Sequence, residues 1–265
     1  MVVVVDTHCH ASPYWDAPVE SLLDEMIRAG VDKATLVQIG GIYDNSYFIE
    51  CMRRFPGRFS VIGMVDTDRP NATERLEEWV KEGMEGIRLG PATRSPGSDP
   101  RAIWRKADDL GIPVSCQGSD VDQFGSAEFE SVIQELPNLN IVIEHLGGGG
   151  QDTTPPHDKY RKVLALARYP NTFMKIPGLG ELCSRPMPFR QPFPFENVPP
   201  LIEMAIDAFG PHRLMWGSNY PPVAGRGEGY RNSLWWTRER VPFKTEEDEE
   251  WVFGKTATTL WKFPG

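Results

Sequence analysis

Short apolar runs rich in β-branched residues alternate with longer amphipathic stretches along almost the whole chain. The runs lie at Val2 to Val5, 34–38, 59–64, 85–89, 112–117, 140–144, 172–176 and 213–216, which makes eight candidate strands. Between them, segments such as VESLLDEMIRAG, ATERLEEWVKEG, AIWRKADDLG and LIEMAIDAFG carry apolar residues at three- and four-residue spacing and close on a glycine suited to cap a helix. Strand starts recur every ~25 to 40 residues, the length of one βα unit. Eight such units in 265 residues predict an α/β fold, a (β/α)8 TIM barrel occupying residues 1–265 as one domain. The rival architecture is an open doubly wound sheet, but no GxGxxG or GxxxxGK[ST] follows any strand. The tail from Thr245 to Phe263 reads as a final helix with a Thr-x-x-Asp cap that packs Trp251, Phe253, Leu260 and Trp261. A Pro-rich stretch at 185–195 falls between a strand and a helix, where it is a long active-site loop or a plain spacer.

In such a barrel the chemistry belongs at the C-terminal strand ends. His8 and His10 leave the first run in VVVVDTHCH, and residues two apart on a strand share a face, so both imidazoles aim at one point. They form a metal-ligand pair or a catalytic pair; two solvated loop histidines are the bland alternative. The other strand ends carry Gln38, Arg88, Gln117, Glu144 with His145, Glu181 and Asn219. Polar groups thus gather at one end of otherwise apolar strands. Arg88 suits a bidentate grip on a substrate carboxylate, or else a structural pair with Glu85 or Glu144. His145 is a base, an oxyanion-stabilising donor or a core histidine. Gly147 to Gly150 let the backbone approach a ligand or form a flexible turn. Tyr14 and Trp15 wall the pocket or merely cover the barrel top, and His157 and His212 read as surface groups. Trp235, Trp236 and the Phe-rich loop form either a homo-oligomer contact or core.

Charged residues make up 25% and hydrophobic ones 40%, an ordinary balance with ample material for a core. The net charge of −9 is spread without a basic block, which argues against nucleic acid and anionic membranes as partners; the partner expected from Arg88 is a small carboxylated molecule. Cys9, Cys51, Cys116 and Cys183 are scattered and read as reduced thiols. With neither a signal h-region nor a membrane-length apolar run, the expected setting is the cytoplasm.

The segments DTHCH, GIRL, EHLGG, K-x-x-G-L and WGSNYPP, in this order from Val4 to about Trp235, resemble the second amidohydrolase family. Its members include pyrone-dicarboxylate lactonase, sugar lactonases and nonoxidative decarboxylases. The resemblance implies a distorted TIM barrel that opens a lactone or similar cyclic ester bearing a carboxylate. Its catalytic set would be His8, His10, His145 and residue 219, with Arg88, Gln117, Tyr14 and Glu181 against the substrate. A divalent ion, zinc first, would sit on His8 and His10, or the site would work metal-free as in some lactonases. Two departures stand out: Asn219 replaces the family's Asp, and Gln117 replaces the His of metal-dependent members. An amide cannot accept a proton, and losing a general base costs on the order of 10² to 10⁴ in rate. The chain as written is therefore expected to be impaired, as an Asp→Asn variant, or to use His145 or Glu181 as its base. A metal-dependent decarboxylase and a catalytically inert ligand-binding protein are the alternatives.

Overall fold

The computed structural model describes residues 3–14, 16–118, 120–183, 195 and 197–265. Eight strands, β1 (Val5–Cys9), β2 (Lys33–Val37), β3 (Phe59–Gly63), β4 (Gly86–Leu89), β5 (Val114–Cys116), β6 (Ile141–Ile143), β7 (Thr172–Ile176) and β8 (Leu214–Trp216), lie side by side in chain order. Every neighbouring pair is parallel, and helices fill the connections. Such strands are covered on both faces, which is why they read as continuous apolar runs rather than as alternating patterns. Seven of the eight runs match their strands to within two residues at each end. The first is corrected: β1 begins at Val5 and carries His8 inside it instead of ending before it.

The barrel closes between β8 and β1 without a regular ladder. Asn219 N–H donates to His8 O at 2.9 Å, His10 N–H to Tyr220 O at 2.7 Å, and Thr7 Oγ1 to Trp216 O at 2.7 Å. The β1–β2 register shifts between Asp6 and Cys9, an irregularity of the kind that re-aims side chains beside a site. Gly217 makes the seam possible, since a Cβ there would sit 2.7 Å from the His8 Cβ.

At the opposite end the interior is plugged by apolar packing. Val5, Val37, Ile62, Val142 and Met215 meet Ala257, Trp261 and Phe263 of the tail. Gly57 N–H donates to Pro264 O at 2.7 Å, and the Glu85 carboxylate accepts from the Lys262 and Phe263 amides at 3.2 Å. The expected capping box is present at Thr245 and Asp248. The tail is not one helix, however: α-helical turns at Glu246–Glu250 and Thr256–Leu260 flank a π-helical turn at Trp251–Lys255.

Gly30 and Gly83 end the helices Val19–Ala29 and Ala72–Glu82 in left-handed conformation, as their sequences suggest. His157 corrects its reading as a surface group. It is buried, held by a left-handed backbone with Nδ1 2.6 Å from Asp152 O. His212 is exposed and stacks on Trp251. Trp235 is half exposed, with its ring 4.5 Å from that of Trp236. Trp15 and the Pro-rich stretch, Phe195 apart, lie outside the described residues. Among the described residues the four cysteines are free, and no helix is long and apolar enough to cross a membrane.

Candidate active site

A cavity of about 580 Å³ opens at the C-terminal strand ends, walled by Arg88, Gln117, His145, Glu181, Asn219 and Arg226. Five of these were singled out from the sequence, and each comes from a different strand or strand-end loop. His8 and His10 are buried beside it, the His8 ring 4.6 Å from that of His145.

The two β1 histidines do converge: their Nε2 atoms are 3.3 Å apart. His10 Nδ1 lies 2.7 Å from Val37 O, which places its proton on Nδ1 and leaves Nε2 a lone pair. Burial, with the Arg88 charge adding to it, pushes His10 down to about 4, and burial also drives His8 far below its ordinary value. Both rings are therefore neutral near pH 7. His8 Nδ1 is a buried atom without a hydrogen-bond partner, 3.8 Å from Glu144 Oε1. With its proton on that atom, His8 presents a second lone pair to the first. Two imidazole nitrogens on a tetrahedral zinc at ~2.0–2.1 Å stand about 3.3–3.4 Å apart, so this pair fits a divalent ion. The Val37 carbonyl behind the His10 ring is the usual kind of outer partner for a metal-binding imidazole, whereas Glu144 stands beyond hydrogen-bond distance of His8.

His8, Glu144 and His145 also place possible ligand atoms within 4.8 Å of one another. Glu144 is already engaged. It accepts from Arg88 Nη2 at 2.8 Å, from Arg88 Nε at 3.1 Å and from Ser115 Oγ at 2.7 Å, with Lys175 Nζ 3.7 Å away. Burial alone would raise its pKa, but the Arg88 and Lys175 charges overcome that and hold it well below the carboxylate range. Lys175, fully buried and bonded to Ser115 Oγ at 3.0 Å, is pushed down to about 8 by burial, against the pull of Glu144. This corrects the reading of Arg88 as the carboxylate grip: its Nε and Nη2 face Glu144 and its Nη1 donates to Gln38 O at 2.8 Å. The structural partnership with Glu144 is the one observed, while Glu85 serves the tail.

The wall at β6, β7 and β8 is organised differently. His145 Nδ1 and Glu181 Oε1 are 2.6 Å apart, and Arg226 Nη1 donates to Glu181 Oε2 at 2.5 Å. With its oxygen turned to Arg226, the Asn219 amide accepts from Nη1 and Nη2 at 2.8 and 3.0 Å. Burial would raise the Glu181 pKa, and His145 and Arg226 together lower it. His145 and Asn219 both have positive φ, 51° and 55°, an uncommon backbone for non-glycine residues that concentrates at functional sites. After His145 the glycines divide the work. Gly147 and Gly149 lie against Val163 and Tyr160, where a Cβ would come within 2.6 and 2.8 Å, whereas Gly148 and Gly150 line the cavity.

Tyr14 does not reach this cavity. It is 88% exposed and borders a second pocket with Ser12, Ile39 and Tyr47, because the chain turns away from the barrel axis after His10. Three charged residues were given no role from the sequence, Lys175 having entered only as the first position of the K-x-x-G-L segment. Lys175 was legible in principle, as a lysine inside an otherwise apolar strand. Arg226 and Glu228 sit in a polar loop with no periodic signal.

The sequence pattern of the amidohydrolase family matches residues 5–263. The chain belongs to this family. Among curated relatives it is 23% identical to 4-sulfomuconolactone hydrolase of Rhizobium radiobacter, over 82% of this chain and 75% of that one. It is also 23% identical to L-fucono-1,5-lactonase of Burkholderia ambifaria, over 94% and 86%. A 34% identical protein of Sinorhizobium fredii without an assigned activity matches 61% of this chain, which spans only 56% of its length. Among solved structures, a zinc-bound amidohydrolase from Burkholderia multivorans superposes with a TM-score of 0.76 at 19% identity, covering 99% and 100% of the two chains. A candidate 2-pyrone-4,6-dicarboxylic acid hydrolase from Pseudomonas putida gives 0.75 at 22% identity, covering 99% and 98%.

Proposed function

We propose that this amidohydrolase opens a lactone or related cyclic ester bearing a carboxylate, with His145, backed by Glu181, carrying the proton. The observation that carries the reading is the 2.6 Å contact between His145 Nδ1 and Glu181 Oε1 in the cavity wall, in a chain whose β8 position holds an amide. A proton held on Nδ1 by the carboxylate leaves Nε2 as the basic nitrogen. Water adds to the carbonyl carbon as Nε2 takes its proton. The bond from that carbon to the ring oxygen then breaks, and the proton returns to the freed oxygen to give the open hydroxy acid. Gln117, Gln151 and Arg226 line the same cavity and supply N–H donors for the developing oxyanion and the carboxylate. Arg226 replaces Arg88 as the carboxylate anchor, since its side chain is 32% exposed against 10%. Zinc held by the His8 and His10 Nε2 atoms would polarise the carbonyl when bound. The named lactonases among the relatives and the zinc in the Burkholderia structure support this reading.

The test is turnover of aldonolactones and carboxylated unsaturated lactones by the purified protein, with its metal content measured alongside. Turnover that disappears in His145→Ala while the circular dichroism spectrum is kept is the expected result. Release of carbon dioxide from an unsaturated or aromatic acid without lactone turnover would move the chain to decarboxylation. Tight lactone binding without turnover would leave it a binding protein.

A further inference from the structure

The carboxylate of Glu228 is 3% exposed, and no cation forms an ion pair with it among the described residues. Its ligands are backbone amides: Leu179 N–H donates to Oε1 at 3.0 Å and Gly180 N–H to Oε2 at 2.9 Å. These amides open the turn Leu179–Glu181, which is closed by Glu181 N–H donating to Gly178 O at 3.1 Å. The turn is shaped around the carboxylate, since a Cβ on Gly178 or Gly180 would lie 2.5 or 3.0 Å from Glu228 Oε2. Glu181 is thus reached twice from the loop after β8, directly by the Arg226 guanidinium on its side chain and indirectly by Glu228, which holds the two amides that precede it in the turn.

We infer that Glu228 is a positioning residue and a proton-sensitive clamp: ionised, it fixes Glu181 against His145; protonated, it releases one of the two amides and loosens the pair. A neutral acceptor would hold a permanent turn at lower desolvation cost, so a buried carboxylate here points to a contact meant to change with pH. Burial pushes Glu228 up to about 7, opposed by the Gly180 and Leu179 amides, raised further by Glu181 and opposed by Arg226. Among the described residues, the titratable or charged groups facing it are Glu181 and Cys183 from the β7 side and Arg226 from its own loop. The helix Tyr230–Arg240 brings the Ser233 hydroxyl close to the same turn.

The inference rests on His145 and Glu181 being the proton-handling pair, but its test reads the pair and not turnover. The probe is the downfield His145 Nδ1–H proton resonance of the full-length protein, assigned by its loss in His145→Ala. A carboxyl titrating at about 7 is about ten to one protonated near pH 6 and the reverse near pH 8, so the clamped population falls roughly tenfold to acid. The resonance should therefore broaden between about pH 8 and pH 6 in the wild type and stay unchanged in Glu228→Gln. Protonation of His145 itself would tighten its bond to Glu181, the opposite trend. A wild-type resonance that sharpens or holds steady toward acid overturns the proposal, as does a Glu228→Gln protein that broadens equally. If the variant fails to fold, carbon-13 titration of the wild-type glutamate carboxyls decides: a midpoint near 7 supports the clamp, and none above about 5.5 overturns it.

Discussion

Each of the two charge clusters at the barrel mouth pairs a glutamate with an arginine, yet the two differ in what surrounds that pair and in access. In the inner one, Glu144 is fully buried, satisfied by Arg88 and Ser115 and flanked by Lys175. In the outer one, Glu181 joins His145 and Arg226 on the cavity wall, with side chains 18 to 32% exposed. Saturation and burial make the first a fixed support that holds the β4, β5, β6 and β7 ends together. Partial exposure on the wall of the cavity leaves the second open to a bound molecule, which is why the proposed chemistry is assigned to it. Residue identity alone does not separate support from chemistry; access does.

The comparison breaks most easily at His145. His145→Ala should reduce lactone kcat/KM by on the order of 10² to 10⁴ while urea unfolding moves little; a similar loss from Glu144→Gln, in protein still folded, would erase the distinction. Glu144→Ala should act on stability instead, lowering the unfolding free energy by about 3–5 kcal/mol in urea titration, because Arg88 and Lys175 lose their buried counter-charge.

Acid sharpens the contrast through linkage of opposite sign. Glu144 is held below its ordinary 4.5, so its contribution is complete above 4.5 and is lost as pH falls toward the folded value. Glu228 is raised to about 7, so its contribution is complete below 4.5 and is lost as pH rises through about 7. Unfolding measured from pH 3 to 8 should accordingly show a loss below pH 4.5 that Glu144→Gln removes, and a decline toward pH 8 that Glu228→Gln removes. A profile unchanged by both variants would refute both assignments.

Asn219→Asp is expected to change turnover by less than about tenfold, since Arg226 would hold the new carboxylate and share its charge with Glu181. A gain beyond tenfold would return the base to β8, the outcome expected for an impaired Asp→Asn variant. The smallest effect belongs to Tyr14→Ala, whose kcat/KM should stay within about twofold of wild type because the ring lies on a different pocket.

Much of this was written locally. Eight apolar runs at βα spacing determine a parallel barrel because strands covered on both faces must be apolar throughout. The strand-end rule then marks His8, His10, Arg88, His145, Glu181 and Asn219, since chemistry in this fold sits where the strands stop. Partnership was not written there. Arg88 could face a ligand or Glu144 with the same sequence around it, and only the β4–β6 packing assigns it to Glu144. Lys175, Arg226 and Glu228 gained their parts from Glu144, Glu181 and Leu179, which lie 31, 45 and 49 positions away along the chain. Periodicity reports how an element buries its own face. Which charge meets which is settled by the closed geometry of the whole barrel, where desolvation gives a contact its value.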